Sequence, residues 1–466
     1  MTQESPPSTS QNLRPVLANR QLGMIAIGGV IGAGLFVGSG TAIASAGPAV
    51  LVAYIGIALL VVLIMRMLAE LAVASPESGS FATYASRAFG PWCGVTVSSL
   101  YTYQWTVVIG FEATAGAQII HKYVPGIQPW VAALVVMVAF TITNLISVRA
   151  FGEFEFWFAL IKVLAICLFL VVGVLAIMGL LPGVEAPGTH NLLGQGFAPH
   201  GWQPVWLACL VVFFSYLGAE TVTIAAGEAQ NPKQAVRRAM RSIILRLITF
   251  YVGSVAVVVT LISPGDAALE ENGPYAAVLA LIGLPHATAV VNIIVLTAVL
   301  SMLNSGMYSA SRMMFAAARR GELPRKLGLI NGRGVPVPAI LAVAACGIFT
   351  VSANYFFPTD VVFITLLQST GAIGVVVYFF IAATQLRTRQ RMTSDSVKAL
   401  QVRMWGFPGL SVLVLLMLIG IVVGLAFDPG SQKSLVLSGA ATAVALIAGL
   451  VSQRRTRGGR TRCWTR

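Results

Sequence analysis

Residues 24–40 read MIAIGGVIGAGLFVGSG, and residues 210–232 read LVVFFSYLGAETVTIAAGEAQNP. Both are apolar enough for helices inside a membrane, and both are interrupted near the middle. The first holds Gly28, Gly29, Gly32, Gly34 and Gly38. Each glycine costs a helix about 1 kcal/mol relative to alanine. On glycine density alone two readings stand level. One is close helix packing through small residues. The other is a broken helix, whose free N–H groups and dipole point at an anion in a cavity. The glycine spacing is not GxGxxG and no strand precedes it, so a dinucleotide loop does not fit. The second stretch carries a polar knot from Ser215 through Tyr216, Leu217, Gly218 and Ala219 to Glu220, with Glu228 farther on. A carboxylate at membrane depth costs roughly 2.5 kcal/mol or more unless it faces a cavity or a partner.

The composition around these stretches fixes their solvent. Of 466 residues, 57% are hydrophobic and only 10% are charged, and the mean hydropathy is +0.84. A soluble domain carries about 25% charged residues, so this chain cannot cover a water-facing surface. Disorder is excluded by the same numbers. Runs of about 20 apolar residues cross a bilayer as helices, and only helices or closed barrels satisfy their backbone there. The expected spans are 21–45, 48–70, 91–120, 129–148, 154–181, 203–229, 237–263, 286–316, 337–357, 361–384, 408–427 and 434–452. These make an all-α membrane protein of twelve transmembrane helices. Residues 1–16 read as a disordered cytoplasmic tail, 17–452 as the transmembrane domain and 453–466 as a basic cytoplasmic tail.

The net charge of +14 follows from topology and needs no nucleic acid. With the N-terminus inside, cytoplasmic loops hold Arg87, Arg149, the Lys233/Arg237/Arg238/Arg241 cluster and Arg319/Arg320/Arg325/Lys326/Arg333. They also hold Arg387/Arg389/Arg391/Lys398/Arg403 and the basic tail, leaving Lys122 and Lys433 outside. The positive-inside rule therefore places both termini in the cytoplasm. The basic tail serves as a topology anchor, with contact to membrane lipid as its other reading. In this orientation the two interrupted stretches lie five spans apart and run in opposite directions, as an inverted five-helix repeat requires. Interrupted helices at matching positions are the best sequence pointer to a transporter's midplane site, and the pairing favours the break over mere packing.

Few other ionisable groups lie at depth. Glu112 sits in GFEATAG (110–116) and Lys162 in FALIKVLAI (158–166). They are candidate proton carriers, with Glu228 as a third; the competing reading is a static ion pair. All four histidines fall in or near outside loops, so no histidine relay is expected. Arg246 and Arg312 lie within snorkelling reach of the cytoplasmic face and receive no transport role. Asn304 and Tyr308 recur on one otherwise apolar helix; they line a pathway or only bond helix to helix. Residues 69–91 suggest a structured connector. The five cysteines have no metal spacing, and their odd count argues against a disulfide framework. No Walker A, HExxH or GxSxG motif is present, so neither an ATP engine nor an enzyme's catalytic set is visible. No cofactor and no metal is expected.

Five segments, GGVIGAGLFVGSG (28–40), AGPAVLVAY (46–54), SGSFATYA (78–85), FGEFEFWFALIKV (151–163) and GAETVTIAAGEAQNP (218–232), carry a resemblance over residues 17 to 450. The chain resembles the bacterial amino acid transporter family of the amino acid–polyamine–organocation superfamily. The stretches 62–85, HKYVPGIQPW (121–130), 303–324 and QVRMWGFPGL (401–410) look most like 4-aminobutyrate (GABA) permeases. The resemblance implies a five-plus-five inverted repeat, broken at helices one and six, with two extra helices. It implies import of an amino acid, GABA among the candidates, by proton symport with alternating access in the inner (plasma) membrane. Another amino acid, neutral or cationic, and a non-transporting nutrient sensor are the alternatives. By resemblance, Ile31, Gly32, Ala33 and Gly34 meet the substrate carboxylate, and Tyr216, Gly218, Ala219 and Glu220 meet its ammonium. Glu220 is the only acid beside either interruption. Lys162 matches a lysine that replaces a sodium site in proton-coupled relatives, and Glu112 matches an acid found in some members.

Overall fold

The computed structural model describes residue 13 and residues 15–32, 34–356 and 359–461; side chains are described except at 37, 270, 354–356, 359–368 and 455–461. The described residues are mostly helical, joined by turns and loops. Apart from one isolated parallel bridge between Leu17 and Ala229, no strand pairing occurs among them.

The first interrupted stretch folds as α1 (Asn19–Gly28), a π turn (Gly34–Gly38) and α2 (Ser39–Ala46). Next come α3 (Val50–Ala74), the connector helix α4 (Ser80–Phe89), α5 (Pro91–Tyr123), α6 (Pro129–Ile146) and α7 (Val148–Ile177). After a short α8 (His190–Leu193), the second interrupted stretch forms α9 (Gln203–Ser215) and α10 (Thr221–Ala225). It is followed by α11 (Pro232–Arg246), a π segment (Leu247–Val252) and α12 (Gly253–Leu261). Two short helices, α13 (Ala268–Glu271) and α14 (Pro274–Leu281), precede α15 (Ala287–Arg319), α16 (Val337–Phe356) and α17 (Thr359–Gln390). The chain closes with α18 (Ser394–Ala399), α19 (Gly409–Ala426) and α20 (Gln432–Thr461). Helix is present in each of the twelve expected spans. Eight helical stretches among the described residues are long and apolar enough to cross a membrane, and 203–215 and 337–353 are shorter apolar helices. Several helix ends differ from the expected spans by a few residues, two of them instructively. The helix expected from 237 begins at Pro232, because proline without an N–H suits a first turn. The last helix runs past 452 to Thr461, so most of the expected basic tail continues it.

Helix α5 is central, packing against α4, α6, α15, α16, α17 and α20. Its threonines, tyrosines and Glu112 are tolerated because its neighbours are protein. Helix α7 divides into two faces. Glu155, Ala159, Lys162, Ile166, Phe169, Gly173 and Ala176 are buried, at alternating steps of four and three. Leu164, Leu168 and Val171 are 57–66% exposed on the other side. A face that apolar has no role against water, and it fits hydrocarbon.

The connector expected from the small and aromatic residues at 69–91 is ordered. Tyr84 donates to Ser75 O at 2.7 Å, and burial pushes its hydroxyl pKa well above the ordinary value. Glu70, at the end of α3, is buried and accepts from Gln385 Nε2 (2.9 Å), Arg389 Nη1 (2.7 Å) and Met404 N (2.6 Å). It ties α3 to α17 and to the loop before α19.

Candidate substrate and ion site at two broken helices

Both interruptions are true breaks. Helix α1 closes with Gly29 N donating to Ile25 O at 2.9 Å, and regular turns resume only at the π segment from Gly34. Helix α9 ends at Ser215, and Gly218 then takes φ +101°. That is the left-handed region, open to glycine because it lacks Cβ. A Cβ at Gly218 would land on Gly29 O, and one at Gly34 would lie 2.9 Å from Ser215 Cα. The two breaks therefore meet backbone to backbone, with the missing side chains setting their separation. Irregular backbone at membrane depth survives only where protein buries it or a cavity receives it.

The carbonyls released by the first break have partners. Lys162 Nζ donates to Gly28 O (2.6 Å), Ile31 O (3.0 Å) and Ser301 Oγ (2.8 Å). An ammonium has three protons, and all three are used. Tyr251 Oη lies 2.9 Å from both Val30 O and Ser215 O, sharing its proton between the breaks. Tyr216, between Tyr54 (6.3 Å centroid distance) and Tyr251 (4.5 Å), walls this region. The Tyr216 hydroxyl donates to Tyr54 O at 3.3 Å.

Glu220 is fully buried, and both its oxygens are engaged. Oε1 accepts from Tyr101 Oη at 3.0 Å. Oε2 accepts from Tyr378 Oη at 2.7 Å and from Gly218 N at 3.1 Å. The side chain thus caps its own break. Ala219, beside it, is also buried.

The remaining expected residues scatter. Glu112 is buried on α5 against Gly32, where an added Cβ would stand 3.1 Å from its Oε1. Glu220 is therefore not the only acid beside a break; Glu112 reaches the first one from a distant helix. Ala33 lies outside the described residues. Glu228 is buried and accepts from Arg312 Nε at 2.8 Å. Its carbonyl also accepts from Leu17 N at 3.0 Å. Arg312 corrects the snorkelling expectation: it is fully buried and lies 4.1 Å over the Tyr308 ring. Glu228 was within reach, and a buried pair outcompetes a long side chain's route to water when geometry is good. Asn304 Oδ1 accepts from Asn144 Nδ2 at 2.9 Å, and Tyr308 stacks on Phe151 at 4.1 Å.

Sequence reasoning passed over Glu155, Tyr101, Tyr251 and Tyr378. Glu155 had a signal. It lies seven residues before Lys162, so both share one face of α7. The tyrosines also had one, since a phenol in an apolar helix needs a partner for its hydroxyl.

Known proteins share this chain's sequence and fold. A family model described as "Amino acid permease" matches residues 21–453. The gamma-aminobutyric acid permease of Bacillus subtilis (strain 168) is 46% identical over 448 residues, covering 96% of this chain and 95% of the relative. The gamma-aminobutyric acid permease of Escherichia coli (strain K12) is 45% identical, covering 91% of each. The aromatic amino acid transport protein AroP of Corynebacterium glutamicum (strain ATCC 13032) is 39% identical, covering 91% of this chain and 92% of its own. Among solved structures, a nucleobase-cation-symport-1 family transporter in a closed conformation aligns with a TM-score of 0.54. It covers 96% of this chain and 95% of its own at 15% identity, a likeness of fold alone.

Proposed function

The chain belongs to the amino acid permease family, and on that premise we propose that it imports GABA by proton symport with alternating access. Its place is the inner membrane, in twelve spans, with both termini in the cytoplasm. Two five-helix repeats of opposite orientation form its core, and the last two spans lie outside them. The observation that carries this reading is the back-to-back meeting of two helix breaks, with a lysine bonded to the carbonyls of one. The N–H groups from Ile31 to Gly34 take the substrate carboxylate. Carbonyls from Tyr216 to Ala219 take its ammonium. Asn304 and Tyr308 belong to the wall of the pathway rather than to the substrate.

Of the three candidate proton carriers, Lys162 holds the coupling position, because a change in its charge alters its grip on Gly28 O and Ile31 O. Glu112 stands beside the first break, and Glu228 is committed to Arg312. Lys162→Ala removes the dependence of uptake on external pH, whereas counterflow exchange, which moves no net proton, survives. An unchanged pH profile in that variant transfers the role to Glu112 or Glu228.

Glu220→Gln tests the ammonium site. The amide keeps the shape but replaces one acceptor oxygen with a donor, facing two tyrosine hydroxyls and Gly218 N. Apparent affinity therefore falls for GABA and for a carboxylic acid analogue without the amine alike, because the variant disturbs the break itself. If only GABA weakens, Glu220 touches the ammonium directly.

Proteoliposomes given labelled GABA, with and without a pH gradient and against a panel of amino acids, test the whole reading. The similarity to AroP supports a second reading, an α-amino acid as substrate. It gains if GABA fails to compete while an aromatic amino acid does. Saturable binding without accumulation marks a sensor.

A further inference from the structure

We propose that Glu155 is the proton-relay partner of Lys162, receiving its proton through the Ser301 hydroxyl on the cytoplasmic side of the site. The inference rests on the proton-symport reading and assigns it a route. Ser301 Oγ lies 2.8 Å from Lys162 Nζ and donates to Glu155 Oε1 at 2.6 Å. Both separations are within proton-transfer reach. All three side chains are fully buried. The other two acceptors of Lys162 are the amide carbonyls of Gly28 and Ile31, which cannot keep a proton. The hydroxyl can pass one on, and the carboxylate at its end can hold it.

The step balances without a further reactant. A Lys162 N–H bond breaks as a Ser301 O–H bond forms, while the original Ser301 O–H bond breaks and a Glu155 O–H bond forms. An ammonium and a carboxylate become an amine and a carboxylic acid. Two fully buried charges disappear together, which removes the cost of keeping them away from bulk solvent.

The placement of Glu155 gives the route a direction. It lies seven residues nearer the start of α7 than Lys162, about 10 Å at 1.5 Å per residue. In the proposed orientation that start is cytoplasmic. Beyond it, Ser301, Asn304, Tyr308 and Arg312 follow one face of α15 at spacings of three and four. Asn304 Nδ2 stands 3.5 Å from Glu155 Oε2. The stacked Phe151–Tyr308 rings and the Arg312–Glu228 pair then close the way. The groups facing Glu155 are Lys162 on its own helix, the Gly28 backbone on α1, and Ser301, Asn304 and Ser305 on α15, with Asn144 of α6 behind Asn304. Glu112 approaches Gly32 from α5. Glu153 points away, to Arg20 and Gln21. Glu155 also packs directly against α1: a Cβ at Gly28 would collide with its Oε1. A change in its charge therefore reaches α1 directly.

The test is GABA transport by purified full-length protein in proteoliposomes, comparing wild type, Glu155→Gln, Glu155→Asp and Ser301→Ala. Wild type must first accumulate GABA in response to a pH gradient; if it does not, the symport reading fails and this inference with it. Given that response, Glu155→Gln loses gradient-driven accumulation and its pH profile flattens, while counterflow persists. Glu155→Asp restores part of the accumulation. Ser301→Ala shows the same uncoupling as Glu155→Gln. A wild-type pH profile in Glu155→Gln overturns the proposal. So does loss of counterflow and accumulation together in both Glu155 variants, since that marks a packing role. If Glu155→Gln fails to reach the membrane, Ser301→Ala decides: uncoupling supports the relay, and a wild-type profile overturns it.

Discussion

Gly218→Ala abolishes uptake. At φ +101° an L side chain is strained by about 1–2 kcal/mol, and the new Cβ strikes Gly29 O. That oxygen is backbone, anchored by Gly29 N on Ile25 O, so no side chain can swing aside. The two breaks must separate. A displacement of about 1 Å among positioning groups costs roughly a hundredfold in rate. Labelled uptake, normalised to the amount of protein in the membrane, reads the loss. Gly439→Ala is the matched control, because a Cβ there meets open space, and it transports normally. If Gly218→Ala retains wild-type KM and rate, the contact between the breaks does not shape the site.

Arg312→Met destabilises the protein by about 3–5 kcal/mol, the usual cost of leaving one member of a buried ion pair alone. Glu228 and Arg312 are both essentially unexposed, and removing the guanidinium leaves a carboxylate in the protein interior. The double variant Glu228→Leu with Arg312→Met recovers most of the loss, since it removes the orphaned charge as well as its partner. Thermal unfolding in detergent measures both. Equal stability of Arg312→Met and wild type refutes a structural pair and returns Arg312 to the surface. Glu228 also holds Leu17 through its backbone carbonyl. One residue joins the start of α1, the end of the second broken helix and α15.

Much of the architecture was legible because its causes are local. Hydropathy over about 20 residues decides whether a segment belongs in a bilayer. Glycines 28 to 34 and the knot at 215–220 weaken hydrogen bonds that link residues only four apart. The helical character, the family resemblance and the two breaks could therefore be read from neighbouring letters. The site itself was only half legible. Lys162, Glu112, Glu220 and Glu228 stood out as charges at depth, but depth does not name a partner. Arg312 looked free to reach water until Glu228, 84 residues earlier, was folded against it. Glu220 looked poised for a ligand until Tyr101 and Tyr378 occupied its oxygens.

That this chain is a helical membrane permease with two interrupted helices can be read from its letters, because backbone satisfaction and apolar length are properties of short segments. Tertiary structure alone decided what the buried charges do. Lys162 reaches Gly28 across 134 residues and Ser301 across 139, and Ser301 reaches Glu155 across 146. In a low-dielectric interior the role of a charge is set by the two or three groups within 3 Å of it, and those groups come from helices that only folding brings together.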